Sequence, residues 1–225
     1  MGKITGYFIL AATLIFLYGL SILSFLFTSP EIDFSASLLI SSLLINMVVL
    51  CGSSVLENML FYSSNLYTSL KNLYFTKKNI GYSILLGSSS AVIILFFLGL
   101  IFYILIQIGY TPPDNPLSES IAETLTVPLV IIIPLLSSIS EEIFFRGFLQ
   151  PKLMGLTTPL IGIVITSILF GFAHLAYQNP LQIVIPFFIG LIFGLLLIKT
   201  KNILAPISAH YFFNFIQLAL TYFSQ

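Results

Sequence analysis

Charge is what this sequence has least of. Its 225 residues include eight lysines and arginines and eight aspartates and glutamates, 7% of the chain, against 58% hydrophobic residues. A soluble domain carries about 25% charged residues and about 45–50% apolar ones. So few charges cannot cover a soluble surface, and the same composition excludes a disordered chain. Acids and bases cancel, which leaves nucleic acid binding without electrostatic support. The single cysteine, Cys51, excludes a disulfide framework and a cysteine-rich metal site, and within its apolar run it reads as packing. No His-Glu-x-x-His zinc motif occurs. No internal repeat is visible, so the inverted-repeat signature of many transporters is missing. With a mean hydropathy of +1.08, what remains is a polytopic membrane protein.

The apolar runs predict an all-α transmembrane bundle of about seven spanning helices, because each span needs about 20 mostly apolar residues. The runs are Tyr7–Phe27, Ser37–Leu56, Tyr82–Ile108, Thr126–Leu149, Thr158–Ala176, Leu181–Ile198 and Leu204–Phe223. A β-barrel would need short alternating segments, and runs such as Ala91–Ile106 do not alternate. The first run follows Lys3 as a signal peptide would, but its apolar core is too long and no small-x-small cleavage site follows it. The final Tyr222-Phe223-Ser224-Gln225 lacks a terminal Cys box, so the chain is not expected to be a prenylation substrate itself. The whole chain reads as one membrane domain, with scaffold helices in 1–124 and the chemistry in 125–225.

The loops sort by charge. Lys3, Lys71, Lys77, Lys78, Lys152, Lys199 and Lys201 all fall on one side of a seven-span arrangement. The opposite loops hold Glu31, Asp33, Asp114, Glu119 and Glu123 and no base. Positive loops stay in the cytoplasm, so the N-terminus is expected there, in a multi-pass protein of the cell membrane. The polar, tyrosine-rich stretch Glu57–Asn79 reads as a cytoplasmic loop with an interfacial helix. Tyr110–Glu123 reads as an external loop of turn residues.

Ionisable groups within a span point to function, because placing them there costs several kcal/mol. Three clusters qualify, and the sequence before Ser140 offers nothing comparable. In Glu141-Glu142-Ile143-Phe144-Phe145-Arg146, Glu142 and Arg146 are four apart and share a helix face. Glu141 is rotated about 100° away, which leaves one acid paired and one free. A free carboxylate in a low-dielectric site suits a general base. The bland alternative is a salt bridge near a helix end. In Phe170-Gly171-Phe172-Ala173-His174 a phenyl ring and an imidazole stack four apart, and in His210-Tyr211-Phe212-Phe213-Asn214 two polar side chains do so. Either histidine alone could be interhelical glue. His210 and Asn214 could instead hold a developing oxyanion. Both histidines of the chain lie in these clusters, which argues against coincidence.

Depth constrains the meeting. Glu141 and His174 are brought level if helix four continues through Lys152. His210 meets them only if span five stops short, leaving Tyr177-Gln178-Asn179-Pro180 as irregular backbone at depth. Such backbone is tolerated where protein or a wet cavity surrounds it.

The set Glu141-Glu142-x-x-x-Arg146, Phe170-x-x-x-His174 and His210-x-x-x-Asn214 resembles the CAAX protease and bacteriocin-processing family of intramembrane endopeptidases. That family includes the type II CAAX prenyl endopeptidases. The match runs over roughly residues 125–220. The resemblance implies peptide-bond hydrolysis within the bilayer, on a membrane-associated or C-terminally prenylated peptide. Glu141 and His174 would activate a water, His210 and Asn214 would stabilise the oxyanion, and Glu142 and Arg146 would orient the site. A water activated without metal is favoured, because a third nitrogen ligand is absent. Zinc held by Glu141, His174 and His210 is the alternative. Two other functions remain open: a non-catalytic bacteriocin self-immunity or membrane-binding protein of the same fold, and a proton-coupled transporter using the same Glu and His residues.

Overall fold

The computed structural model describes residues 2–27, 35–62, 65–113 and 115–225. It is helical throughout, with no strand among the described residues. The helices are α1 (Gly2–Phe27), α2 (Ala36–Tyr62), α3 (Leu66–Asn72), α4 (Ile80–Gln107), α5 (Pro116–Thr124), α6 (Val127–Glu142), α7 (Gln150–Leu156), α8 (Pro159–Phe172), α9 (Leu181–Thr200) and α10 (Leu204–Phe223). A π-helical segment, Ile143–Leu149, joins α6 to α7, and a 3₁₀ turn, Leu175–Tyr177, lies between α8 and α9. The expected acids Glu31, Asp33 and Asp114 lie outside the described residues.

Helix starts follow local chemistry. Asn65 accepts from the Thr68 amide, Asn115 from Ser118 and Thr158 from Ile161, each satisfying a donor that the first turn leaves unpaired. Pro159 follows Thr158 at a position where its missing N–H costs nothing. The long helices are apolar on all faces, as expected where one side meets lipid and the other meets protein. On α4, Phe96, Phe97, Ile101 and Ile104 stand exposed on the outer face.

Six segments are long and apolar enough to cross a membrane: Gly2–Leu26, Ala36–Tyr62, Ile80–Gln107, Val127–Leu156, Pro159–Tyr177 and Leu181–Thr200. The expected seventh, Leu204–Phe223, is a 20-residue helix. Its His210, Asn214, Gln217 and Thr221 make it more polar than the others, and it packs against α4, α6 and α9.

Val127–Leu156 is one helical run of 30 residues, about 45 Å at about 1.5 Å per residue. The expected continuation through Lys152 is therefore present. It also puts Glu141 and Glu142 at the middle of that run, not late in a span ending at Leu149. Helix α8 stops at Phe172, and Gln178 takes a left-handed conformation (φ +54°) before α9 begins. The α-helix of the fifth run thus ends four residues before the expected Ala176, and a 3₁₀ turn continues it to Tyr177.

The Glu57–Asn79 stretch needs correction. Helix α2 continues to Tyr62, so Glu57 lies inside the bundle and is fully buried. Neither of its carboxylate oxygens is hydrogen-bonded among the described residues. Lys152 is its electrostatic counterpart, with the ammonium 3.0 Å above the Phe61 ring centroid. The first half of the chain thus does hold a buried acid. Only α3 answers to the expected interfacial helix.

Two larger apolar cores result, beside a small one of Leu125, Leu129 and Val130. One gathers Leu50, Phe61, Phe144, Phe145, Phe148 and Phe170, with Cys51 packed against it as expected. The other gathers Ala91, Ile94, Ile189, Phe193, Ala209 and Phe213. At Gly87, α4 comes so close to α10 that a Cβ would run into the Ala205 carbonyl. Gly87→Ala must therefore push two helices apart, and overpacking of this kind costs about 1–3 kcal/mol. Gly81→Ala, on the same helix with nothing within 4 Å, should be neutral or stabilising. Thermal unfolding of both variants in detergent checks the contrast.

Candidate active site

The site is built around one buried carboxylate. Glu142 Oε1 accepts from Arg146 Nη1 at 3.1 Å and lies 2.9 Å from His210 Nδ1. Glu142 and Arg146 are wholly buried and His210 nearly so. An ionised carboxylate only accepts, so His210 donates from Nδ1 and its Nε2 is left for other work. The expected pairing of Glu142 with Arg146 is thus present. The bond from α6 to α10 was not foreseen.

Arg146 is held by rings as well as by charge. Its guanidinium carbon lies 4.0 Å over Phe170 and 5.6 Å from the Phe193 centroid. A desolvated contact of this kind contributes about 2 kcal/mol. Gly190 on α9 makes room for it, since a Cβ there would stand 3.0 Å from Arg146 Nη2. One turn on, Gln150 donates to the Gly194 carbonyl. The Gly190-x-x-x-Gly194 spacing was the sequence signal for this groove, because small residues four apart let another helix approach closely.

His174 follows α8 by two residues. Its Nδ1 sits 2.9 Å from the Phe170 carbonyl, which can only accept. The proton is therefore on Nδ1, and Nε2 carries the lone pair in the neutral ring. Phe170 stands between the two histidines, its ring centroid 5.0 Å from His174 and 5.8 Å from His210, both edge-on. Tyr177 stacks on His174 at 6.2 Å and 19°. His174, Tyr177, His210 and Asn214 line a cavity of about 540 Å³, whose remaining walls are mostly apolar.

Glu141 Oε2 is buried with no hydrogen-bond partner among the described residues. No hydrogen bond joins Glu141 to His174 there, although the acid lies within electrostatic range of both His174 and Tyr177. The structure therefore joins Glu142, Arg146 and His210 directly. It places His174 and Asn214 on the same cavity wall and leaves Glu141 unpaired nearby. Tyr177, Phe193 and Gly190 were missed by sequence reasoning. Both free Nε2 atoms would suit a metal, yet among the described residues no three His, Cys, Asp or Glu side chains are placed as a metal-holding group.

Residues 123–216 match the family model described as Type II CAAX prenyl endopeptidase Rce1-like. That stretch is similar to this family. It contains all six residues singled out from the sequence. The chain is also 29% identical over 140 residues to an "Uncharacterized 24.3 kDa protein" of Escherichia coli, covering 59% of this chain and 61% of that one. It is 28% identical over 99 residues to "Uncharacterized protein YpbD" of Bacillus subtilis, covering 44% and 48%. The chain thus spans about three fifths and about half of the lengths of these relatives. No solved structure matches it.

Arg146→Ala would strip a buried carboxylate of its cation. Such a loss costs about 3–5 kcal/mol, so a large drop in thermal stability is expected. Gly190→Ala should shift the guanidinium and lower stability less, with only part of the drop removed when Arg146 is already alanine, because the added Cβ would still stand 3.1 Å from Ser167 Cβ. Unfolding midpoints of the two single variants and the double variant check this coupling.

Proposed function

We propose that the protein is an intramembrane endopeptidase that hydrolyses a peptide bond of a membrane-associated substrate by a glutamate-activated water. A C-terminally prenylated CAAX-type peptide is the first substrate to try. The observation that carries the reading is the Arg146–Glu142–His210 chain of charge-assisted bonds, which ends on an apolar cavity beside His174 and Asn214. A merely structural ion pair has no need of two histidines held by Nδ1 with Nε2 free.

In this mechanism Glu141 is the base. Its carboxylate and His174 Nε2 would hold the attacking water between them, each by one hydrogen bond. Glu141 takes the proton as the water oxygen attacks the carbonyl carbon. The negative charge that develops on the carbonyl oxygen faces Asn214, an amide donor, and the Nε2 edge of His210. A doubly protonated His210 donates from Nε2 to the oxyanion while Nδ1 donates to Glu142, whose charge balances it. The tetrahedral intermediate collapses by breaking the C–N bond, and the proton held by Glu141 passes to the leaving amine. Arg146 and Glu142 stay charged throughout and fix the ring of His210. The cavity's apolar walls suit the lipid end or apolar residues of a membrane substrate.

Three variants test the roles against the purified wild-type protein and a prenylated CAAX peptide. Glu141→Gln should abolish turnover and leave the unfolding midpoint unchanged; full activity in it would remove the base from this assignment. Asn214→Ala should slow kcat by about 10²–10³-fold with KM little changed, the usual effect of losing one oxyanion donor. Asn214→Asp keeps the size but presents an acceptor, and should be slower still.

Exhaustive chelation should leave the rate unchanged, because the water here is activated by carboxylate and imidazole alone. Loss of activity restored by one equivalent of zinc would replace this mechanism with one in which Glu141, His174 and His210 are ligands.

A further inference from the structure

The two ends of the bundle differ in chemistry, and the cavity belongs to one of them. At one end the lysine-bearing segments meet. Lys152 lies over Phe61, whose ring packs against Tyr7 at 4.9 Å. Asn202, beside Lys201, donates to the carbonyls of Lys78 and Thr76, and the Ile203 amide donates to Tyr74. Lys3, Lys71, Lys77, Lys78, Lys152, Lys199 and Lys201 all sit on segments that end here. At the other end Gln178 donates to the Phe25 carbonyl, Asn179 to Pro113 and Gln225 to Ala122. This end holds the exposed Glu119 and Glu123 of α5 and no base.

The cavity extends from His210 towards the second end, where α5 and the last turns of α10 line it. Its floor is formed by Phe170, Phe193 and His210, and its outer wall by Ser118 and Ala122 of α5 and Thr221 of α10. Between the floor and the lysine end the core is filled. Leu73, Leu197 and Ile203 are buried there, and Gly147 lies against the Leu73 carbonyl and Ile203.

Lysine-rich ends of membrane proteins lie in the cytoplasm. We propose that the cavity takes its substrate from the opposite, extracytoplasmic side, so that the substrate is a membrane-anchored peptide of that face and not a cytoplasmic one. The peptide part rests on the endopeptidase reading. The side of access rests only on the placement of lysines, core and cavity.

Cysteine labelling tests the side without any need for turnover. In the full chain with Cys51→Ala, a single cysteine is placed at Ser118, at Gln217 on the cavity wall, or at Lys77 on the lysine end. Each protein is treated with a membrane-impermeant maleimide in spheroplasts and in inverted vesicles. Ser118→Cys and Gln217→Cys should label in spheroplasts and lose that label in inverted vesicles, and Lys77→Cys should do the reverse. Labelling of Gln217→Cys from the Lys77 side overturns the proposal, as does a Gln217→Cys that labels from neither side while Ser118→Cys labels. A second arm adds a lipid-anchored peptide to the outside of each preparation. Cleavage by spheroplasts alone is expected, and cleavage by inverted vesicles alone overturns the substrate assignment. If neither preparation cleaves while the labelling pattern holds, the endopeptidase reading fails with this substrate class and the outward opening stands.

Discussion

One carboxylate shared between an arginine and a histidine governs this structure. Glu142 is wholly out of water, and an isolated ion there would cost many kcal/mol. Two charge-assisted hydrogen bonds, one within its own helical run and one from α10, offset that cost. Each demands something of its surroundings. Arg146 needs aromatic faces and the missing side chain of Gly190. His210 needs α10 rotated so that Nδ1 meets Oε1, which puts Asn214, one turn later, on the same cavity wall. The packing of α8, α9 and α10 around the middle of the 30-residue run follows from keeping this charge paired.

The π-helical segment fits the same constraint. Ile143–Leu149 begins immediately after Glu142, and every one of its residues is buried. Pro151 follows it, and a proline's ring clashes with the carbonyl four residues before. A turn widened ahead of Pro151 relieves that contact. Single-turn π segments concentrate at functional sites, and here the segment carries Arg146 while Phe144, Phe145 and Phe148 fill the core on its other faces. Polar and apolar demands are met by one stretch of backbone with no break in the helix.

What the sequence revealed was whatever depends on spacing along one element. Glu142 and Arg146, and His210 and Asn214, are four apart, and helical geometry alone puts each pair together. The early end of α8 was legible because the depths of His174 and His210 could not otherwise agree. Relations between elements were not legible. Nothing in the order of residues says that His210 turns its Nδ1 towards Glu142. Glu57 was read as part of a polar loop because Asn58, Tyr62 and Asn72 surround it in sequence. In the bundle Asn72 bonds back to Asn58, and Lys152, far along the chain, faces the acid. That lysine is the cation acting on Glu57, and only the fold brings it there. Helix α10 shows the reverse. Its polar residues lower its hydropathy below that of the other long helices, and they are polar because they face a cavity.

Two neighbouring acids on one helix thus meet opposite environments. Successive residues point about 100° apart, so when Glu142 faces α10, Glu141 faces the His174–Tyr177 turn. Glu142 is held by two donors and has no freedom to change its charge without undoing the packing around Arg146. Each acid has one buried oxygen with no hydrogen-bond partner among the described residues, but only Glu142 is bonded through its other oxygen. In the proposed mechanism the Glu–Glu dipeptide separates the orienting charge from the reactive one by a single residue step, because Glu142 is the acid already bonded to Arg146 and His210.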